Sequence, residues 1–236
     1  MTSHLDGRTI LITGAFGALG SAAARAAAAG GARVALIDRA SQPPAGLVEQ
    51  AGPGAVVIPG VDLVDPEQAV RAVQAAHGGL GRLDALLNIA GAFRWQTVDA
   101  GDPAAWDLLF AINLKTALNC SRAALPYLRK SEHGRIVNVG ANAATKAAAG
   151  MGAYAASKGG VHRLTESLAD ELKSTRITVN AVLPSIIDTP VNRAEMPNAD
   201  FSTWVTPQAL AEVILFLASP QSGAVTGALL PVTGRV

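Results

Sequence analysis

The stretch TILITGAFGALGSAAARAAAAGG, residues 9–31, joins an apolar run to an alanine-rich segment through a turn that contains Gly14, Gly17 and Gly20. The apolar run predicts a buried β-strand, and the alanine-rich segment predicts a helix. Backbone N–H groups at the start of such a helix can face a phosphate, and glycines allow the phosphate to come close. The stretch therefore favours a nucleotide-binding turn. Because the strict G-x-G-x-x-G spacing is absent, an ordinary glycine-rich turn is the alternative.

The rest of the chain continues this alternation of strand and helix patterns. Short apolar runs, RVALI, AVVIP, LDALLN, RIVNV, ITVNAVL and ALLPV, are separated by helical patterns such as PEQAVRAVQAAH. Such alternation predicts an α/β fold with helices on both faces of a parallel sheet. With right-handed crossovers it predicts a doubly wound sheet of seven strands in the order 3-2-1-4-5-6-7. The 236 residues contain no internal repeat or low-complexity linker, so we expect one domain over residues 1–236.

The composition excludes several classes of protein. The chain is 50% hydrophobic and 16% charged, and 19 Lys+Arg balance 18 Asp+Glu, which leaves no dense basic face for nucleic acid. The one cysteine, Cys120, allows no internal disulfide, and closely spaced Cys and His ligands for a metal are missing from the sequence. The N-terminus lacks the pattern of a signal peptide, and charges interrupt the apolar segments. We expect a cytoplasmic protein that binds no metal, no membrane and no nucleic acid.

Asp38 ends the second predicted strand, about twenty residues after the glycine turn. At that place a carboxylate can accept hydrogen bonds from ribose hydroxyls and would repel a 2′-phosphate. Asp38 therefore predicts NAD as the cofactor, with a helix cap or turn former as its structural alternative. Arg39 follows it and can pair with a phosphate, so NADP stays open.

The segment 184–207, PSIIDTPVNRAEMPNADFSTWVTP, is the only long irregular stretch of the sequence. It exceeds the usual limit of about 12 to 15 residues for a structureless loop, and we therefore expect a substrate lid. Four residues are candidates to line a pocket for a flat ring: Trp95, Met196, Phe201 and Trp204. For the last two, anchoring of the lid to the core is an equal alternative.

Tyr154 and Lys158 lie four positions apart in ANAATKAAAGMGAYAASK, residues 141–158. On a helix this spacing places both side chains on one face. A phenol beside an ammonium is a possible proton donor. Because a neighbouring cation favours the ionised phenol, we expect Lys158, helped by the positive ring of an oxidised cofactor, to bring the pKa of Tyr154 down towards working pH. A pair of helix surface residues is the common alternative for this spacing alone.

Six motifs, in order along nearly the whole chain, resemble those of the short-chain dehydrogenase/reductase family. They are Thr13-Gly14-Ala15-Phe16-Gly17-Ala18-Leu19-Gly20, Asp62-Leu63, Asn88-Ile89-Ala90-Gly91, Asn113 in INLKTA, Tyr154 with Lys158, and Pro184-Ser185-Ile186-Ile187-Asp188-Thr189, in which Ser185 replaces the family's glycine. The resemblance implies a single-domain Rossmann fold. It also implies an NAD(P)-dependent enzyme that transfers a hydride to or from a small-molecule substrate.

The resemblance also implies roles for the matched residues. Tyr154 would be the general acid/base, Lys158 would assist it and hold the nicotinamide ribose, and Asn113 would hold a water that links Lys158 to solvent. The expected cofactor-binding set, with Asp38 and Arg39 included for their position, is Thr13, Gly14, Gly17, Ala18, Leu19, Gly20, Asp38, Arg39, Asp62, Leu63, Asn88, Ala90, Gly91, Tyr154, Lys158, Pro184, Ile187 and Thr189. Family members commonly pair through the helices that here contain residues 113–128 and 154–173, so a homodimer or homotetramer is expected.

The family's catalytic serine is missing from this chain. Family members carry it thirteen residues before the tyrosine, where this chain has Ala141. The dihydropteridine reductases share this feature and resemble the C-terminal half more closely, so reduction of a quinonoid pterin is one alternative function. A nucleotide-binding regulator without turnover is another, although the retained Tyr154 and Lys158 argue against it. Asn142 or Thr145 could supply the missing hydrogen bond, but turn roles are commoner for both residue types.

Overall fold

The computed structural model describes residues 4–236, and within this range the strands form one seven-stranded sheet. The strands are β1 (Thr9–Thr13), β2 (Arg33–Ile37), β3 (Val56–Ile58), β4 (Ala85–Asn88), β5 (Arg135–Val139), β6 (Thr178–Pro184) and β7 (Leu229–Val232). Neighbouring strands all pair in parallel, in the order β3-β2-β1-β4-β5-β6-β7. The predicted α/β class and strand order are confirmed. Because the chain winds in opposite directions from β1, a crevice opens at the carboxyl ends of β1 and β4.

Eight α-helices connect the strands within the described range. They are α1 (Ala18–Ala29), α2 (Leu47–Gln50), α3 (Pro66–Leu80), α4 (Ala104–Leu109), α5 (Thr116–Leu128), α6 (Gly152–Glu171), α7 (Pro190–Glu195) and α8 (Pro207–Ala218). A π-helical turn, Phe110–Lys115, joins α4 to α5. Asp65 and Thr206 cap the starts of α3 and α8, each directly before a proline, and so fix where these helices begin.

The helices cover both faces of the sheet and form two hydrophobic clusters. Residues along β1 alternate between them. Ile10 and Ile12 pack in the cluster that contains α1 and α8, whereas Leu11 packs in the cluster that contains α3, α5 and α6. All three side chains are fully buried. Strands covered on both faces need apolar residues at every position, which explains the continuous apolar runs of the sequence.

Neither a membrane span nor a metal centre is found in the described part of the chain. No helix between residues 4 and 236 is long and apolar enough to cross a membrane. The same residues bring no group of three His, Cys, Asp or Glu side chains together. Cys120 is buried in α5, and burial raises the pKa of its thiol to about 12, so the thiol stays protonated.

The segment 184–207, which the sequence predicts to be a lid, contains regular structure that its composition did not predict. It includes α7 and a 3₁₀ turn, Phe201–Thr203. A parallel bridge between Ile187 and Val205 joins its two ends, and the N–H of Asp188 donates to the Val205 carbonyl at 2.8 Å. The two ends of the segment are therefore held together, next to the carboxyl end of β6.

Candidate functional site

A cavity of about 1220 Å³ opens at the carboxyl edge of the sheet, with part of segment 184–207 in its wall. It is large for a ligand pocket, since most enclose roughly 300 to 1,000 Å³. The residues from the expected site that line it are Gly14, Gly17, Ala18, Leu19, Gly20, Asp38, Arg39, Asp62, Leu63, Ala90, Gly91, Tyr154, Lys158, Pro184, Ile187 and Thr189. The fold thus brings most of the expected residues into one crevice. Thr13, Asn88 and Asn113 lie outside its wall.

The glycine turn between β1 and α1 leaves room for a phosphate. Gly14 has a φ of +63°, and a Cβ on it would lie 2.8 Å from the backbone of Ala90, so the turn packs closely against the end of β4. No side chain caps the start of α1, where Gly17 is the N-cap residue. The first N–H groups of this twelve-residue helix therefore point towards the cavity without a side-chain partner, an arrangement that fits an anionic phosphate.

Asp38 connects the glycine turn to the end of β2. One carboxylate oxygen accepts the N–H of Phe16 and the other accepts the N–H of Ala40, both at 2.9 Å. These bonds fix the carboxylate at the cavity wall, where it can also accept bonds from a ligand because each oxygen has a second lone pair. Arg39 lines the same wall but is exposed. The geometry therefore fixes Asp38 more firmly than Arg39.

Asp62 and Leu63 follow β3 at the far end of the cavity. The Asp62 side chain is exposed and accepts the N–H of Val64 at 3.0 Å, while Leu63 is buried in the core. Both residues line the cavity. In the strand order, β3 lies on the far side of β2 from β5. This wall is therefore at the opposite end of the cavity from Lys158, and a nucleotide base is expected here.

Thr13 and Asn88 lie one layer behind the cavity. The Thr13 hydroxyl accepts the N–H groups of residues 89 and 90, at 3.1 and 3.2 Å, and so holds the turn after β4. The Asn88 amide donates to Ser121 Oγ at 3.1 Å and to Asn138 Oδ1 at 2.8 Å. Both side chains are buried. This geometry does not support direct contact with a cofactor, and it instead gives both residues a role in holding the wall.

Lys158 lies on α6, one turn after Tyr154, as the spacing predicted. Its ammonium donates to the carbonyl oxygen of Val139 at 2.7 Å, and the residue is only 5% exposed. Burial lowers the pKa of Lys158 to about 8. The ammonium is therefore held at the end of β5, at the floor of the cavity.

Tyr154 is half-buried and packs edge-on against the Phe93 ring, with centroids 5.0 Å apart. Burial raises its pKa to about 12. In the chain without cofactor, desolvation of the phenol determines the direction of this shift. The expected lowering of the pKa by Lys158 together with an oxidised cofactor stays a prediction. At neutral pH the hydroxyl is protonated and can donate.

Asn113 lies in the π-helical turn, and such turns are frequent at functional sites. Its amide bonds to both backbone groups of Ala92, at 2.8 and 3.1 Å, and to Ser157 Oγ at 2.9 Å. A Cβ on Gly91 would lie 2.9 Å from Asn113 Oδ1 and 3.1 Å from Lys158 Nζ. Asn113 therefore flanks the lysine from behind the wall. The bridging water that the family implies stays a prediction.

The end of the cavity that contains Tyr154 is where a substrate is expected, and the sequence only partly predicted its wall. Trp95 and Met196 line it as expected, and they are joined by Phe93 and Met151. The Trp95 indole donates to the Ala149 carbonyl at 3.2 Å, so two loops meet at this ring. The sequence position of Phe93, two residues after the N-x-A-G motif, is the signal that could have identified it.

Phe201 and Trp204 pack within segment 184–207 and do not line the cavity. Their rings pack with centroids 4.8 Å apart, and Trp204 is only 6% exposed. Arg193 lies over the Phe201 ring, 4.7 Å from its centroid, and pairs with Asp188 through two bonds of 2.6 and 2.8 Å. These bonds from the guanidinium hold the pKa of Asp188 below its usual value. Of the two alternatives for Phe201 and Trp204, the geometry favours the anchor.

The sequence and the fold both match known proteins. A family model described as short chain dehydrogenase matches residues 8–200. The 3-oxoacyl-(acyl-carrier-protein) reductase FabG of Thermotoga maritima is 34% identical over 242 residues, which cover 98% of this chain and 98% of that protein. The 3-ketoacyl-(acyl-carrier-protein) reductase from Brucella melitensis complexed with NADH has a TM-score of 0.87 at 29% identity, over 98% of each chain. Carveol dehydrogenase from Mycobacterium avium in complex with NAD has a TM-score of 0.88 at 27% identity, over 99% of this chain and 98% of that one.

Proposed function

The chain belongs to the short chain dehydrogenase family, and we propose that it is an NAD(H)-dependent reductase of a small carbonyl compound, with Tyr154 as its proton donor. It is an NAD(P)-dependent oxidoreductase of this family. One observation carries the finer proposal: Tyr154 and Lys158 line the same cavity as Asp38 and the uncapped start of α1. A pure nucleotide-binding regulator would need Asp38 and the start of α1, but neither Tyr154 nor Lys158.

The residues of the crevice fit a dinucleotide. The N–H groups at the start of α1 would bind the pyrophosphate, Asp38 the ribose hydroxyls, and Lys158 the ribose next to the nicotinamide. When bound, the nicotinamide supplies or accepts a hydride. Asp38 favours NAD(H) because its fixed carboxylate would face a 2′-phosphate, and NADP(H) would depend on the exposed Arg39.

Tyr154 supplies the proton in this proposal. When the carbonyl carbon of the substrate gains a hydride, its oxygen must gain a proton, and the phenol hydroxyl of Tyr154 is a protonated group that lines the cavity. Burial keeps it protonated at neutral pH, since its pKa is raised to about 12. The cofactor-free state of Tyr154 thus suits reduction, in which the residue starts as the acid.

Ala141 favours a second candidate function. It is buried at the end of β5, beside the cavity, and its methyl group cannot donate a hydrogen bond. A quinonoid pterin spreads the incoming charge over a conjugated ring and depends less on a single donor. Reduction of such a pterin is therefore the alternative to reduction of a simple carbonyl.

The domain organisation, the assembly and the location of the protein belong to the same proposal. We expect one domain over residues 1–236 and a homodimer or homotetramer in the cytoplasm. Leu118 on α5 is an exposed large hydrophobic residue on one of the expected pairing helices. Light scattering at working concentration tests the assembly, and a monomeric mass would contradict it.

Loss of NADH absorbance with a panel of acceptors tests the function. The panel holds an acetoacetyl thioester, an ortho-quinone and a quinonoid dihydropterin, each also measured with Tyr154→Phe. We expect turnover of at least one acceptor by the wild type and its loss in the variant. Turnover of the dihydropterin alone would select the second candidate, and tight NADH binding without any turnover would select the regulator.

A further inference from the structure

Removal of a donor beside the reacting oxygen is costly in enzymes of this kind. One hydrogen-bond donor to developing negative charge is typically worth about 10² to 10³ in rate. Ala141 cannot provide it, so an efficient carbonyl reductase with this site needs the donor from another residue. The other polar groups that line the cavity near Tyr154 are the candidates for this donor.

Most of these groups are already engaged inside the protein. Their donors go to main-chain carbonyl oxygens: Ser185 Oγ to Thr233 at 2.7 Å, Asn192 Nδ2 to Ile187 at 2.7 Å, and Thr116 Oγ1 to Ile112 at 2.6 Å. Glu195 also lines the cavity, but an ionised carboxylate only accepts. The Ser185 and Thr116 hydroxyls therefore have their single donor in use, Asn192 has one of its two N–H groups in use, and Glu195 has no donor.

Asn142 differs from all of them. It lines the cavity directly after Ala141 and is half-buried. Within residues 4–236 its side-chain amide has no hydrogen-bond partner, although it sits in the same wall as Tyr154. The amide therefore has two N–H donors available to a ligand in the cavity.

The backbone of Asn142 is held in place. Asn142 starts a 3₁₀ turn, Asn142–Ala144, and its carbonyl accepts the N–H of Thr145 at 3.0 Å and the Thr145 hydroxyl at 2.7 Å. On the other side, the N–H of Ala141 points to Nε2 of the buried His162 at 3.4 Å. The free amide is thus carried by a fixed turn, as a preorganised donor must be.

We propose that the Asn142 side-chain amide donates a hydrogen bond to the substrate oxygen that takes the Tyr154 proton. This inference rests on the proposed function and deepens it. It makes Asn142 a substrate-contacting residue that selects acceptors with a carbonyl oxygen. Carbonyl compounds then remain good substrates although residue 141 is alanine.

The test compares kcat/KM for an acetoacetyl thioester among matched variants. Asn142→Ala removes the donor, and Asn142→Asp keeps the shape but only accepts. We expect each to lose about 10² in kcat/KM, mostly in kcat, because the donor acts as charge develops. The Kd of NADH should stay within about twofold, since Asn142 lies at the substrate end. Lys146→Ala, an exposed charge in the same loop, is the control and should behave as wild type.

A double variant separates a donor role from a packing role. Ala141→Ser with Asn142→Ala places a hydroxyl next to the lost amide and should recover part of the lost kcat, whereas a merely structural defect would persist. Wild-type kcat/KM in Asn142→Ala, together with an inactive Tyr154→Phe, would overturn the role of Asn142 and leave the proposed function intact. Turnover in Tyr154→Phe equal to wild type would instead overturn the proposed function.

Discussion

The Lys158 ammonium donates a 2.7 Å hydrogen bond to the carbonyl oxygen of Val139, the last residue of β5. This contact places a nearly inaccessible charge at the floor of the cavity, where one carbonyl oxygen is its hydrogen-bond acceptor. Desolvation therefore outweighs the hydrogen bond, and the pKa of Lys158 falls to about 8. A buried ammonium of this kind lowers the stability of the protein without ligand, in exchange for a charge held at the site.

The first prediction concerns the stability of the protein as the pH rises. The pKa of Lys158 is lower in the folded chain, about 8, than the ordinary value of 10.5, so between these values the unfolded chain binds more protons. Stability must then rise with pH in this window. From about pH 8 to 10, we expect the free energy of unfolding of the wild type to rise by about 2 kcal/mol relative to Lys158→Met, at about 1.4 kcal/mol per pKa unit.

Denaturant unfolding of both proteins across this window measures the difference. Tyr154 does not interfere, because its pKa is raised in the folded chain and only above pH 10, its ordinary value, does it begin to lower stability. His162 does not interfere either, since burial lowers its pKa further below the window. A difference between the two proteins that does not change with pH would show that Lys158 titrates normally.

The second prediction concerns cofactor choice. Asp38→Ala removes the carboxylate that faces the expected ribose hydroxyls. Bonds to a charged group are worth about 1.5 to 3 kcal/mol, so the Kd of NADH should rise roughly tenfold or more, whereas that of NADPH should not rise. Calorimetric titration with both cofactors gives the ratio. Arg39→Ala is the matched control variant. Tighter binding of NADPH than of NADH by the wild type would mean that Arg39, and not Asp38, controls this pocket.

The third prediction concerns the aromatic wall. Gly150 has a φ of +76°, and a Cβ on it would lie 2.1 Å from the Trp95 ring. Gly150→Ala should lower stability by about 1 to 2 kcal/mol and displace Trp95. We therefore expect a changed KM for bulky aromatic ketones and an unchanged Kd for NADH.

Gly78→Ala is the control for this substitution. Gly78 lies in α3 with nothing within 4 Å of its added Cβ, so alanine should stabilise the helix by about 0.5 to 1 kcal/mol. Thermal unfolding compares the two variants. Equal stability of Gly150→Ala and the wild type, with unchanged KM values, would show that the 148–151 loop moves freely away from Trp95.

The sequence predicted the sheet because both of its faces are covered. The continuous apolar runs, separated by helical patterns, leave little choice other than a parallel sheet, and the glycine turn after β1 marks the switch in winding direction. The motifs also predicted that Tyr154, Lys158 and Asp38 belong to one site, and all three line the same cavity. These relationships are local, or follow from the strand order, and so can be inferred from the chain alone.

Other features of the site depend on packing and could not be predicted in this way. A motif does not say which side chains face the cavity, and Thr13, Asn88 and Asn113 turned out to support the wall from behind. The pKa of Tyr154 follows its burial rather than its distance along the helix from Lys158. Asn142 was ambiguous because turn-forming and ligand-binding asparagines have the same sequence pattern.

The most direct test of the account is the rate of NADH oxidation in Tyr154→Phe, measured with the best acceptor of the panel, beside the Kd of NADH. General acid–base catalysis is worth about 10² to 10⁴ in rate, so we expect a loss of this size in kcat. The Kd of NADH should stay within about twofold, because the variant keeps Lys158, Asp38 and the start of α1. A Tyr154→Phe enzyme with the kcat of the wild type would contradict the assignment of the proton to Tyr154.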